Sequence, residues 1–189
     1  MSGHGSGHID PAHKKIALLI SVLALFLALS ETLGKSAQTS ALSYNIEASN
    51  LWAFFQAKTI RMTTLRTAAE AAEVELQHEK APAKRALLQK RIDEWRKIAS
   101  TYDSEPDKQE GRKELAQRAK VAESSRERSM AAYHHYELAS ACLQIAIVLA
   151  SANIITGVAA LLWLSGGLGV VAIGFSLIGF FAPMTVHLF

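Results

Sequence analysis

The stretch Leu138–Leu164, LASACLQIAIVLASANIITGVAALLWL, decides the fold class of this chain. Its 27 residues carry no charge and are interrupted only by mildly polar groups such as Gln144, Asn153 and Thr156. A helix of this length rises about 40 Å, which exceeds the roughly 30 Å hydrocarbon core of a bilayer. We therefore predict a membrane-spanning helix over residues 138–164.

A further apolar run follows this stretch. Residues 165–169, SGGLG, are rich in glycine and predict a turn. Residues 170–189 then contain His187 as their only ionisable side chain, so we predict another span there. Together the two runs predict a transmembrane hairpin. A soluble alternative, in which a globular core buries both helices, is disfavoured because the rest of the chain is too polar to surround them.

The first apolar run, IALLISVLALFLALS at residues 16–30, follows Lys14 and Lys15 and has the outline of a signal peptide. Lys35 would occupy the −3 position of a cut after Ala37, so no small-x-small cleavage site follows, and we expect the run to be retained. We predict a first span over residues 16–34, with Glu31 reaching the membrane interface. Residues 1–15 are expected to be a polar Gly/His tail.

Residues 35–137 carry most of the charge and predict an extramembrane helical hairpin. Acidic and basic side chains are nearly balanced there, which is typical of a solvated helical surface and argues against nucleic-acid binding. Uncharged residues recur at alternating steps of four and three, interrupted only by Lys58, as in the heptads of a coiled coil. We call this set the first seam: Tyr44, Ala48, Leu51, Phe55, Lys58, Met62, Leu65, Ala69, Ala72 and Leu76.

Two prolines place the breaks in this charged region. Pro82 predicts the tip of the hairpin, near residues 80–83, and Pro106 predicts a kink near residues 103–107. The lengths of the two arms then match, so one hairpin would return the chain to the membrane. A three-helix bundle that reverses at both prolines is the alternative.

The candidate chemical groups are few. Glu75 and His78 have the spacing of one half of a di-iron motif, but no second copy exists, so no metal site is expected. His4 and His8 lie in the tail, where a flexible segment is the simpler interpretation. No nucleotide-binding or nucleophile motif occurs in a suitable context, and Cys142 is the only cysteine, so no intrachain disulfide can form. We predict no catalytic activity, no cofactor and no small-molecule substrate.

The chain resembles the bacterial membrane protein family called domain of unknown function 4337. The resemblance rests on GKSAQTSALSYNIEASNLWAFFQAKTIR, residues 34–61, and ELASACLQIAIVLAS, residues 137–151. It implies a membrane protein but carries no known catalytic or ligand-binding residue to this chain. Basic residues between the last two spans, which the family often has, are absent from SGGLG here.

Together these patterns predict an all-α membrane protein with three transmembrane helices and a long antiparallel extramembrane hairpin. We expect a homo-oligomeric scaffold in a bacterial inner membrane, with the lipid bilayer and further copies of the chain as partners. A pore-forming channel or transport subunit is the alternative. Lys14 and Lys15 favour a cytoplasmic amino terminus and a periplasmic hairpin. The residues expected at oligomer or helix-packing interfaces are Leu51, Trp52, Phe54, Phe55, Met62, Asn153, Gly169, Ala172, Gly174, Ser176 and Gly179.

Overall fold

The computed structural model describes the backbone of residues 11–186 and the side chains of residues 13–186. Four helices and no strand are present among these residues: α1 (Pro11–His78), α2 (Pro82–Asp103), α3 (Arg112–Thr156) and α4 (Ala159–Phe181). The helices α1, α3 and α4 are long and apolar enough to cross a membrane. Most of the expected tail, with His4 and His8, and also His187, lie outside the described residues.

The chain divides into two compact units. The charged unit is Ser43–Arg126, and the apolar unit comprises the described residues up to Leu42 together with those from Glu127 onward. The helices α1 and α3 each contribute residues to both units.

The long helix α1 persists because no proline and only one glycine occur between Pro11 and its end at His78. Pro11 is the first residue of the helix, where its missing N–H costs nothing. The helix stops before Ala81, whose extended backbone (φ −78°, ψ 120°) is the conformation favoured before a proline. Pro82 then begins α2.

The charged unit buries apolar side chains in two clusters. Near its first residues, Ala48 and Leu51 of α1 pack with Leu115 and Ala119 of α3. Further along α1, Ala69 and Ala72 pack with Ile92 of α2. Every first-seam residue except Tyr44 is buried or half-buried. The heptad pattern therefore identifies the face of α1 that contacts the other helices of this unit.

The sequence-based position of the turn between the last two apolar helices is wrong. The helix α3 ends at Thr156, and residues 165–169 lie inside α4. Gly157 supplies the break, because its φ of +68° is a left-handed conformation that glycine adopts without strain. The apolar part of α3 is thus about 28 Å long, close to the thickness of a bilayer core.

Small residues fill the interior of the apolar unit. Its core contains Leu23 of α1, Leu143 of α3 and Ala172 of α4, with Ala139 and Ala146 beside them. Ser165, which sequence analysis assigned to the turn, is fully buried, and its hydroxyl donates to the Ala146 carbonyl at 2.7 Å. Ser165 and Gly169 therefore permit close helix packing within the chain, and residues 165–169 do not end a helix.

Candidate functional site

The densest polar cluster of the charged unit surrounds Lys58, the one charged residue of the first seam. Its side chain is 9% exposed, and its Nζ lies 3.6 Å from Glu105 Oε2. The same ammonium lies 5.3 Å from the ring centroids of Phe54 and Tyr102. Two aromatic faces and one carboxylate thus compensate a cation that has been removed from water.

Arg112, the first residue of α3, is a second partly buried cation of this cluster. Its guanidinium donates to Asp103 Oδ1 at 3.1 Å and to Thr59 Oγ1 at 2.8 Å. It also lies 5.0 Å from the Phe55 ring centroid. The beginning of α3 is thereby joined to both α1 and the end of α2.

The segment 104–111 between α2 and α3 is held by Glu114. This carboxylate accepts hydrogen bonds from the Ser104 hydroxyl at 2.7 Å and from the Glu105 backbone N–H at 3.1 Å. Gly111 lies so close that a Cβ at this position would come 2.6 Å from the Ser104 Cα. The segment is therefore a packed connection whose geometry requires glycine at residue 111.

Three carboxylates in this cluster have lowered pKa values. A hydrogen bond from Lys113 is the main cause of the lowered pKa of Asp103, and one from Lys108 is the main cause for Glu105. The hydrogen bond from Ser104 is the main cause of the lowered pKa of Glu114. Each partner stabilises the ionised form, so all three carboxylates carry their charge at neutral pH.

The expected interface residues of the charged unit mostly contact their own chain. Leu51 and Met62 are buried at 7% and 4% exposure. Trp52 donates its indole N–H to Glu123 at 2.8 Å and packs edge-on against Phe55, with 5.4 Å between ring centroids. Phe54 is the most exposed of the set, at 38%. One chain thus covers Trp52 and Phe55 in part and leaves Phe54 exposed.

The expected interface residues of the apolar unit fall into two groups. Ala172 is fully buried, and the Ser176 hydroxyl lies 3.0 Å from that of Ser30. A Cβ on Gly169 would lie 2.8 Å from Leu23 Cδ2, and one on Gly179 would lie 3.0 Å from His135 Cβ. Gly174, by contrast, faces open space. Four of the five small positions on α4 therefore pack inside the chain, and Gly174 does not.

Asn153 serves the turn and not a bridge between helices. Its amide donates to the Val158 carbonyl at 2.8 Å, and its own carbonyl accepts from the Gly157 N–H at 2.9 Å. Asn153 thus joins the last turn of α3 to the residue that precedes α4. The signal for this role is the spacing between Asn153 and Gly157, which fits a helix end.

His135 is a buried polar residue just before the apolar stretch of α3. It is fully buried, and its ring stacks on Phe175 with 6.2 Å between centroids. Its Nε2 lies 3.3 Å from the Pro183 carbonyl, whereas its Nδ1 has no partner. The spacing of Ala132, Tyr136, Ala139 and Leu143 marks the buried side of α3, and His135 borders it.

A cleft of about 440 Å³ with several polar side chains in its walls opens between α1 and α3 within the apolar unit. Glu31 lies on one wall and accepts a hydrogen bond from the Gln144 amide at 3.3 Å. Lys35, Gln38 and Tyr133 also line it. The carboxylate, ammonium, amide and phenol groups of this lining can hydrogen-bond to water or to polar headgroups, and Glu31 is exposed.

No group of three or more His, Cys, Asp or Glu residues within the described ranges is arranged to hold a metal ion. The half-motif of Glu75 and His78 provides no such cluster, and His78 Nδ1 lies 2.8 Å from the Val74 carbonyl of its own helix. The polar contacts described above join groups of the same chain and thus stabilise helix packing.

Comparison with known proteins assigns the family. The model of a family described as "Domain of unknown function (DUF4337)" matches residues 12–182. The chain therefore belongs to the domain of unknown function 4337 family. No curated protein and no solved structure matches it significantly.

Proposed function

We propose that this member of the domain of unknown function 4337 family is a membrane-anchored scaffold protein that assembles with further copies of itself. The apolar unit inserts three helices into the bilayer. The charged unit stays outside it as an antiparallel helical hairpin. The role is structural, and its partners are lipid and identical chains.

The observation that carries the proposal is the distribution of side chains in the apolar unit. Large apolar residues point outward, with Leu18 at 66% exposure, Leu25 at 61%, Trp163 at 83% and Phe181 at 73%. The interior holds many small residues, such as Ala139, Ala146 and Ser165, beside Leu23 and Leu143. In water so large an apolar surface would cause aggregation, whereas in lipid it is the expected outer surface of a helix bundle.

The charged unit shows the opposite distribution, which supports a position in water. It buries apolar side chains of the first seam and has charged side chains such as Arg61, Arg66 and Glu70 on its exposed surface. The order of contacts supports the hairpin, because early residues of α1 pack on α3 and later ones pack on α2.

Self-association is supported by surfaces on which one chain leaves small or aromatic residues uncovered. Gly166, Gly167 and Gly174 of α4 all face open space. Small residues on the outside of a transmembrane helix allow another helix to approach closely. Phe54, at 38% exposure, provides an uncovered aromatic surface on the charged unit.

The proposed orientation follows from the basic residues at the first span. Lys14 and Lys15 precede it and favour a cytoplasmic amino terminus. Three spans then place the charged unit in the periplasm, if the membrane is a bacterial inner membrane.

Membrane fractionation tests the anchoring. Cell membranes containing the protein are washed with alkaline carbonate, which releases peripheral proteins but not integral ones. We expect the chain to stay in the pellet and to be released only by detergent. Recovery of a stable, monodisperse protein in the carbonate supernatant would contradict the proposal.

A further inference from the structure

The helix α1 has a second face in the charged unit that its own chain leaves uncovered. Adding two to each first-seam position gives ten residues at the same alternating steps of four and three. None of them is charged at neutral pH when histidine is neutral, and all are exposed. We call this set the second seam: Ile46, Asn50, Ala53, Ala57, Ile60, Thr64, Thr67, Ala71, Val74 and His78.

The two seams lie on opposite sides of the helix. Two residues correspond to about 200° of rotation, so the second seam faces away from the clusters that cover the first. Its large side chains are strongly exposed, with Ile46 at 53%, Ile60 at 67% and Val74 at 58%. Helix α2 offers no uncharged stripe of this length, because Arg91 and Glu94 lie between its exposed Leu87 and Ile98 at the same alternating steps.

The period of the second seam indicates what covers it. Ile46, Ala53, Ile60, Thr67 and Val74 recur every seven residues, which is 3.5 residues per turn. A straight helix drifts by about 20° per heptad from such a repeat, so the stripe stays in contact only with a helix that coils around it. A flat bilayer surface would instead favour a period of 3.6.

We propose that the second seam binds the second seam of another copy of this chain, in parallel and in register. This inference rests on the proposed function, since it names the surface by which the anchored copies associate. In every copy the seam begins the same number of residues after the first apolar segment, on one continuous helix. Insertion into one membrane therefore aligns the copies and raises their effective concentration.

The side chains suit such a pair. In register, Ile60 meets Ile60 of the other copy and Ala53 meets Ala53, so large and small contacts alternate along the seam. Asn50 would lie at a core position of the paired helices. A single asparagine at such a position fixes the register of parallel helices. Glu70 and Glu75 flank the carboxyl-terminal part and would repel their equivalents. We therefore assign the tight contact to Ile46–Thr67.

Disulfide cross-linking in native membranes tests the proposal on the full chain. Cys142 is replaced by serine, and single cysteines are introduced as Ala53→Cys, Ile60→Cys and Thr67→Cys. Arg66→Cys and Lys90→Cys, at exposed positions off the seam, are the matched controls. Mild oxidation is expected to shift each seam variant from monomer to a species of twice its mass, because cysteines at facing core positions meet the distance requirement of a disulfide. The controls are expected to stay monomeric.

The outcomes separate this inference from the proposed function. Cross-linking at Ile60→Cys alone would indicate antiparallel helices and would overturn the inference. Absence of cross-linking at all three positions in a protein that is oligomeric by native mass would also overturn it, and would leave the proposed function standing. A monomeric native mass would overturn both.

A charged substitution provides a second readout. Ile60→Lys, added to the Ala53→Cys variant, places two ammonium groups in the centre of the seam and is expected to abolish the dimer band. Because residue 60 is exposed in the single chain, helical content measured by circular dichroism should not change. A dimer band of undiminished intensity would contradict the proposal.

Discussion

Lys58 and Glu105 form an ion pair across the charged unit, with 3.6 Å between Nζ and Oε2. The lysine lies in the centre of an otherwise uncharged seam, and the glutamate lies in the connection between α2 and α3. This pair therefore attaches the α2–α3 connection to the middle of the first seam. The pair fixes the position of α1 relative to this connection. A shift of α1 along its axis would leave the buried Lys58 ammonium without its carboxylate.

The two members of this pair should respond differently to substitution. Glu105→Ala removes the carboxylate and leaves the Lys58 ammonium in a site with 9% exposure, so it should destabilise the protein. Lys58→Met keeps an apolar side chain in the seam and leaves Glu105 paired with Lys108 at 3.0 Å, so it should have the smaller effect. Thermal unfolding followed by circular dichroism measures both. Equal losses in the two variants would contradict this account of the site.

The connection between α2 and α3 should loosen in acid. The pKa values of Asp103, Glu105 and Glu114 are lowered by folding from ordinary values of 3.8, 4.5 and 4.5. Their contribution to stability is therefore complete above those ordinary values and is lost as the pH falls through the lower values of the folded state. Thermal unfolding measured from pH 7 to pH 3 checks this, with Glu114→Gln as the comparison. We expect the wild-type chain to lose more stability than this variant over that range.

Gly111 should not tolerate alanine. An added Cβ would overlap the Ser104 Cα, the Glu105 backbone nitrogen and the Glu114 carboxylate, and two of these three are backbone atoms that cannot move aside cheaply. We expect Gly111→Ala to cost about 1–3 kcal/mol of unfolding free energy. Gly166→Ala is the control, since nothing lies within 4 Å of its added Cβ. Similar losses of stability in the two variants would contradict the close packing at Gly111.

The glycines of α4 should separate contacts within one chain from contacts between chains. Gly179→Leu places a large side chain against His135 and should reduce folding in the membrane, as judged by the yield of monodisperse protein. Gly174→Leu points to open space in a single chain and should leave folding intact. Loss of the oligomer with retained folding in Gly174→Leu would show that this face packs against another copy.

The turn between α3 and α4 should be accessible from the aqueous phase. In a Cys142→Ser background, Val158→Cys lies between the helices, whereas Gly167→Cys lies two turns inside α4. A membrane-impermeant maleimide should label residue 158 from one side of the membrane and leave residue 167 unlabelled. Arg85→Cys, in the charged unit, should be labelled from the opposite side. Preferential labelling of residue 167 would restore the turn predicted from sequence.

Sequence patterns predicted the helical class, the apolar helices and the face of α1 that is buried. Those features depend on periodicity and on proline, which act locally along a helix. The sequence predicts the turn at SGGLG, residues 165–169, and not near Gly157, because SGGLG is richer in glycine. The structure shows that these small residues permit contacts such as Ser165 with Ala146, which depend on a neighbouring helix.

The polar contacts of the candidate site were less predictable. Lys58 was recognised as an exception in the seam, but its pairing with Glu105 connects residues that are distant in sequence. The burial of Trp52 likewise depends on Glu123 of α3, which no local pattern reveals. The second seam can be read from the sequence as well as the first. Only the structure identifies it as a candidate interface, because the chain covers the first seam and leaves the second exposed.

The most direct test of the central claim is the native mass of the protein in lipid nanodiscs or mild detergent. We expect an assembly of two or more chains that remains intact on dilution and is weakened by Ile60→Lys. A protein that stays monomeric across several detergents and in nanodiscs, while retaining its helical content, would contradict the claim that this chain is a self-assembling membrane scaffold.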